Sequence, residues 1–294
     1  MIVYMTIHDI IACADFPQKS VVKQLLCEIL ALSLEQLIIE IDTVLTQPQY
    51  DKFVDMYHQY SIQHKPLEYI IGHVTFFGQD FLVNQHTLIP RTETEYMISS
   101  VCEYVRLLSS YKQYILRDIG TGCGVLACSV LIQTPDRWSQ LVMTDISPDA
   151  LDVARHNYDR LVKPIKDYDT MMWTWSLLDF ITNARYRDED VILVANLPYI
   201  PDETFDTQVS DTVRLREPRI AFVGGDDGLG WYKQMLDQIL NYHRAGQIWS
   251  IVCFCEMMTW QLDILQKKYA DIYHFHIHAT FHFNIIIVQI SMLK

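Results

Sequence analysis

Ala195-Asn196-Leu197-Pro198-Tyr199 places an amide, a proline and an aromatic ring directly after the apolar run Val191-Ile192-Leu193-Val194. An Asn side chain offers an acceptor and two donors in one plane, so it can hold a planar amide or the amino edge of a purine. The apolar run has the length of a buried strand. Pro198 has no N–H for a ladder and ends it. The amide therefore falls at the carboxyl end of a parallel strand, where open α/β sheets take their ligands. Upstream, Ile119-Gly120-Thr121-Gly122-Cys123-Gly124 lies between the strand Ile115-Leu116-Arg117-Asp118 and the helical stretch from Val125 to Val130. Strand, Gly-rich turn and helix together form a nucleotide- or cofactor-binding turn. Its spacing is G-x-G-x-G rather than the dinucleotide G-x-G-x-x-G, and no Gly-Lys-Ser/Thr follows, which excludes a P-loop. Asp145 closes Leu141-Val142-Met143-Thr144, twenty-seven residues after Asp118. An acid at the end of a second strand can accept both hydroxyls of an adenosine ribose.

These groups require an α/β framework, and the rest of the chain supplies its elements. Thr92 and Glu95 have capping-box spacing and predict a helix to about Leu108. Ser147 as N-cap and Pro148 at the first helical position predict a helix to about Leu161. A third strand is expected within Thr170–Ser176. Residues 200–228 are polar and without clear period, long for a loop and therefore functional or disordered. Beyond them we expect a helix at Leu229–Tyr242, a strand at Gln247–Cys255, a helix at Gln261–Tyr269 and a closing strand pair at Tyr273–His278 and Asn284–Ile290. Ahead of the framework, residues 6–63 read as short amphipathic helices, with Val21, Val22, Leu25, Leu26, Ile29 and Leu30 at helical spacing. Residues 67–89 are β-rich, with Gly78-Gln79-Asp80 as a turn. The expected organisation is a helical domain over 1–65, a β-hairpin linker over 66–89 and the α/β domain over 90–294.

Composition narrows the function classes. Half of the 294 residues are hydrophobic and the net charge is -13. Residues 1–90 carry four Lys, no Arg and ten acids. That balance argues against a protein held to nucleic acid by phosphate contacts. The seven cysteines have no disulfide-framework spacing, which fits a reducing cytoplasm. No basic region precedes an apolar stretch at the N-terminus, and no apolar run reaches the roughly 18 residues of a membrane span. The ten glycines are few, and seven of them cluster at 120–124 and 224–230, where special backbone angles or close approach are needed. His274, His276, His278 and nearby His282 could bind a metal, but alternate as a solvated strand face does; Cys253 and Cys255 read as core or edge packing.

In this order the motifs resemble class I methyltransferases that use S-adenosylmethionine. More closely, the chain resembles the release-factor glutamine N5-methyltransferases, the HemK/PrmC family. The matching stretches are Pro90-Arg91-Thr92-Glu93-Thr94-Glu95, Asp118 to Gly124, Asp145-Ile146-Ser147-Pro148-Asp149-Ala150-Leu151, Asn196-Leu197-Pro198-Tyr199-Ile200-Pro201, and Glu217-Pro218-Arg219 through Gly225-Asp226-Asp227-Gly228-Leu229. Leu197 stands where the family has its first proline, Thr92 replaces another, Cys123 takes a place often held by Ser, and Glu256-Met257-Met258 departs from an acidic-Ile-Gly pattern.

The resemblance implies a Rossmann-like, mostly parallel seven-stranded sheet with helices on both faces, preceded by a small helical domain. It implies methyl transfer to the amide nitrogen of the glutamine in the Gly-Gly-Gln motif of peptide-chain release factors. Asn196, Leu197, Pro198 and Tyr199 would form the catalytic stretch: the Asn196 oxygen and the Leu197 carbonyl accept the two amide hydrogens, and Tyr199 packs along the amide plane. Asp118, Gly120, Thr121, Gly122, Cys123, Gly124, Asp145, Ile146, Leu177 and Asn196 would hold S-adenosylmethionine, with Leu177 or Leu178 flanking the adenine. No metal, nucleic acid or membrane is expected, and the protein would act in the cytoplasm as a monomer. The competing readings are an adenine-N6 nucleic-acid methyltransferase and a non-catalytic binding protein on the same scaffold.

Overall fold

The computed structural model describes residues 5–174, 190–246, 250–281 and 284–293. The chain forms two compact units, Met1–Gly72 and His73–Lys294.

The first unit is helical: α1 (Ile7–Ala12), α2 (Lys19–Leu30), α3 (Leu34–Ile39), α4 (Gln47–Ser61) and α5 (Leu67–Ile71). Three of its helices start on capping boxes, Thr6 with Asp9, Ser33 with Gln36 and Thr46 with Gln49. Each pair satisfies backbone N–H groups that the first turn leaves without partners. The periodic residues Val21, Val22, Leu25 and Leu26 of α2 are all buried. They join Ile7, Ile10, Leu37, Phe53 and Tyr57 in one core, where the Phe16 ring meets Phe53 and Tyr57 edge-on at 5.0 and 4.8 Å.

The second unit opens with an antiparallel hairpin, β1 (His73–Phe76) and β2 (Gln79–Leu82). Its two-residue turn is Phe77-Gly78, both at positive φ, the geometry that matches the twist of paired strands. There follow α6 (Thr94–Leu107), β3 (Tyr114–Ile119), α7 (Val125–Gln133), β4 (Trp138–Asp145), α8 (Pro148–Leu161), β5 (Asp169–Thr174) and β6 (Val191–Ala195). The remainder is α9 (Asp202–Gln208), α10 (Asp211–Arg216), α11 (Gly230–Arg244), β7 (Ile251–Met258), α12 (Thr259–Tyr269), β8 (Tyr273–Thr280) and β9 (Ile285–Met292). The seven-stranded sheet has the order β5-β4-β3-β6-β7-β9-β8. The first five in that order run parallel, and β9 lies antiparallel to both β7 and β8. Every residue of β3 and β6 is buried. Successive side chains point to opposite faces, so both faces of the sheet are covered there. The chain leaves β3 toward β4 and β5, then returns to place β6 on the other side of β3. That reversal opens a crevice at the carboxyl ends of β3 and β6, the usual ligand position in such sheets.

Two local expectations change, and the two cysteines of β7 take the core place among those expected. Thr92 and Glu95 form no capping box: α6 starts at Thr94 without a side-chain cap. Glu95 instead accepts the Phe77 N–H at 2.9 Å. Residues 200–228 hold α9, α10 and a 3-10 turn at Arg219–Ala221. Cys253 and Cys255 sit in the core with their sulfurs 3.2 Å apart. Among the described residues no helix is long and apolar enough to cross a membrane, and no group of three or more His, Cys, Asp or Glu side chains is arranged to hold a metal ion. His282 and Trp249 lie outside the described residues.

Candidate active site

Asp118, the last residue but one of β3, is fully buried, and its Oδ2 accepts the Thr121 hydroxyl at 2.7 Å and the Ala127 N–H at 3.1 Å. One carboxylate thus ties the Gly-rich turn to the first turn of α7. Oδ1 is buried and accepts no hydrogen bond among the described residues. Burial pushes the Asp118 carboxyl up to about 7, against the downward pull of the Thr121 and Ala127 bonds. The turn itself holds Gly122 at a φ of 56° with nothing within 4 Å of where a Cβ would stand. Glycine is needed there for its backbone angle and not for space. The Thr144 carbonyl accepts both the Gly120 and the Thr121 N–H at 2.9 Å, which aligns the turn with the end of β4. Cys123 is buried, its thiol pushed up to about 12 by burial, so it is not a thiolate nucleophile; its carbonyl accepts Asn157 Nδ2 at 2.9 Å.

Asp145 closes β4. Its Oδ2 accepts the Gly122 N–H and its Oδ1 the Ser147 N–H, each at 2.9 Å. Ser147 in turn caps α8 by accepting the Ala150 N–H at 3.2 Å. With the Ile146 N–H also directed at the carboxylate, these backbone donors leave acceptor capacity on it for ligand hydroxyls. Burial raises the Asp145 carboxyl above its ordinary range, opposed by the Ser147 and Gly122 bonds. Ile146 follows at the rim, 46% exposed.

The tetrapeptide after β6 is held from several directions. Asn196 Nδ2 donates to Thr94 Oγ1 at 3.1 Å. The Leu197 N–H donates to the Tyr232 hydroxyl at 3.2 Å. Tyr199 donates its hydroxyl to Glu256 Oε1 at 2.9 Å, and burial raises its phenol well above the ordinary range. Gln261 Nε2 donates to the Tyr199 carbonyl at 2.7 Å. The 224–230 loop packs against this backbone so closely that a Cβ at Gly228 would collide with the Tyr199 carbonyl. Arg91 pairs with the buried Glu217 at 2.5 Å, and Glu217 Oε2 also accepts the Ile89 N–H at 3.1 Å. This pair joins the stretch before α6 to the stretch after α10. Removing Arg91 would leave a buried charge without its cation.

A cleft open to solvent at its mouth runs between these parts. Of the expected residues, Gly120, Thr121, Gly122, Cys123, Asp145, Ile146, Asn196, Leu197 and Pro198 line it. Asp118, Gly124 and Tyr199 stand behind that lining, and Leu177 and Leu178 lie outside the described residues. Thr94, Pro218, Ile220, Ala221 and Trp231 also belong to its walls. Sequence reading placed neither Thr94, Tyr232 nor Glu256 at the site. Glu256, the one acid of β7, carried a signal: an acid within an otherwise apolar strand needs a buried partner.

This sheet order, with a Gly-rich turn after β3, an acid near the end of β3 and another closing β4, is that of the class I methyltransferases. Among solved structures, the catalytic domain of human Mettl16 in complex with a MAT2A 3′UTR hairpin matches with a TM-score of 0.52 over 85% of this chain and 84% of that one. At 11% identity the likeness is one of fold. Residues 13–72 match the family described as the PrmC N-terminal domain. The release factor glutamine methyltransferase of Bacillus anthracis is 30% identical over 263 residues, 88% of this chain and 87% of the relative. That of Bacillus cereus is 28% identical over 260 residues, with the same shares covered. The chain belongs to the release factor glutamine methyltransferase family.

Proposed function

We propose that this chain transfers a methyl group from S-adenosylmethionine to the side-chain amide nitrogen of the glutamine in the Gly-Gly-Gln motif of peptide-chain release factors, in the cytoplasm. The observation that carries the reading is the Asn196 amide. Its Nδ2 is bound to Thr94, which leaves its oxygen for the cleft that also contains the Gly-rich turn and Asp145.

The residues fit the cofactor. Asp145 keeps acceptor capacity on its carboxylate for the ribose hydroxyls. Asp118 Oδ1 is a buried acceptor without a partner among the described residues, suited to a cationic amino group near the turn. Gly120, Thr121, Gly122, Cys123 and Gly124 form the backbone cradle for the methionine part, and Ile146 supplies an apolar edge. When bound, the cofactor's sulfonium supplies an electrophilic methyl group for in-line displacement.

The chain's part is positioning. An amide nitrogen is a poor nucleophile because its lone pair is delocalised into the carbonyl. Asn196 Oδ1 and the Leu197 carbonyl, as paired acceptors, would hold the two amide hydrogens and favour the positive charge that develops on nitrogen. Pro198 biases Leu197 away from the α region, which aims that carbonyl. Tyr199, held by Glu256, stiffens the end of the stretch. The methylated nitrogen, positively charged and still carrying both hydrogens, is strongly acidic and gives one proton to water, so no separate general base is needed.

Incubation of the protein with labelled S-adenosylmethionine and release factor, free DNA or free RNA tests the reading. Label on the release-factor glutamine is expected, and label on nucleic acid alone would replace it with the adenine-N6 reading. The helical unit is proposed to dock the release factor. A chain starting at His73 should then bind cofactor yet methylate release factor poorly; full-rate methylation would leave the helical unit a stabilising role only.

A further inference from the structure

Glu256 lies in β7, buried at 2% exposure. Its Oε1 accepts the Tyr199 hydroxyl and its Oε2 the Thr94 hydroxyl, both at 2.9 Å. Thr94 is itself buried at 3% exposure. Its hydroxyl oxygen receives Asn196 Nδ2 at 3.1 Å, and the Asn196 amide also acts as a donor toward the Glu256 carboxylate itself. A carboxylate can only accept, and a hydroxyl has one proton. The Thr94 proton is therefore committed to Glu256. Toward Asn196 the Thr94 hydroxyl is left only as an acceptor, and only the NH₂ half of the Asn196 amide can satisfy it. The opposite rotation would face two acceptors in a buried space with no hydrogen between them, which is costly.

We propose that Glu256 is a positioning residue: directly and through the Thr94 hydroxyl it sets the rotation of the Asn196 amide, so that an acceptor and not a donor meets the substrate N–H. What that acceptor does for the reaction rests on the functional reading above; the rotation itself does not. The polarity runs from one acid in β7, through the first residue of α6, to the residue after β6. A donor placed toward the substrate N–H would repel it, so the direction of this relay decides whether the cleft can hold a primary amide nitrogen-first.

The relay can be tested without activity, by a double-mutant cycle read in urea unfolding of the full chain. Asn196→Asp replaces the NH₂ donor by an acceptor, so Thr94 faces two acids with one proton and the unfolding midpoint should drop. Glu256→Gln supplies a donor at the other end, which lets Thr94 turn its proton toward position 196. The double variant should recover much of the lost midpoint, and the recovery should shrink in a Thr94→Val background, where no hydroxyl carries the polarity. Additive effects would overturn the proposal. So would a recovery that is undiminished with Thr94→Val, because that is direct relief of charge repulsion. The activity arm uses Thr94→Val alone, with S-adenosylmethionine and release factor. Turnover should fall by about 10²-fold, the scale of a misplaced reacting group, with cofactor affinity unchanged, and Thr94→Ser should recover it. Wild-type kcat in Thr94→Val overturns the proposal. Absence of methylation by the wild-type chain instead overturns the functional reading, and the unfolding cycle still judges the relay.

Discussion

The Tyr232 hydroxyl accepts the Leu197 N–H at 3.2 Å and donates to the backbone carbonyl of Glu256, a buried bridge from the end of β6 to β7. The bridge answers a departure visible in the sequence. A proline at 197 would bring no N–H, whereas leucine brings one into a buried place, and such a donor must be paired.

Tyr232→Phe should therefore destabilise the protein by about 1–3 kcal/mol, the cost of an unsatisfied buried group. In a Leu197→Pro background the same change should cost less, because the donor that the hydroxyl satisfies is gone. Leu197→Pro alone should be tolerated, since only the carbonyl at that position is needed. Urea unfolding of the four proteins checks this. Equal costs of Tyr232→Phe in both backgrounds would show that Leu197 does not depend on the bridge.

Asp118 predicts how stability changes with pH. Its carboxyl ionises near its ordinary 3.8 in the unfolded chain and near 7 when folded, chiefly through burial. Between those values the folded state holds a proton that the unfolded state lacks, so this contribution to stability falls as pH rises from about 4 to about 7 and is level above. Asp118→Asn, which keeps the shape, should flatten that part of the profile. Unfolding midpoints of both proteins at half-unit pH steps decide it, and parallel profiles would refute it.

Asp145→Ala should weaken S-adenosylmethionine by roughly ten- to a hundredfold, since hydrogen bonds to a charged group contribute about 1.5–3 kcal/mol. The same change removes the acceptor of the Gly122 N–H, so part of the loss is a loosened turn. Calorimetric titration measures it; wild-type affinity would remove Asp145 from the cofactor site.

Asn196→Ala should lower single-turnover methylation by about 10²–10³, the scale of losing one preorganised polar group at a reacting centre. Cofactor affinity should change little, because the ribose contact belongs to Asp145. Asn196→Asp keeps the shape but puts a second acid beside the hydroxyl that Glu256 already holds, and should also be slow. Near-normal rates for Asn196→Ala would mean that the amide is held elsewhere.

Much of the fold was legible locally. Ser147 caps α8 with Pro148 in its first turn as the spacing requires, and the apolar runs before Asp118 and Asn196 are neighbouring buried strands. Residues 200–228 hid two helices of seven and six residues, because α9 buries only Phe205 and α10 nothing. Helices that short and that exposed show no hydrophobic period. Glu95 had the spacing of a cap and became the acceptor for Phe77, eighteen residues earlier in the chain. A tertiary partner there replaced the local one.

From the sequence alone came the chemistry-bearing residue types and their places at strand ends: the Gly-rich turn after Asp118, the acid at 145 and the amide at 196. Those rest on backbone angles, strand length and helix starts, which neighbouring residues decide. Which atom of Asn196 faces the cleft was decided only by the tertiary structure. Thr94 lies 162 residues from Glu256 and 102 from Asn196, and the three meet only once β7 is placed beside β6 and α6 is packed nearby. A hydroxyl has one proton to give, and the burial that brings these groups together determines which of them receives it.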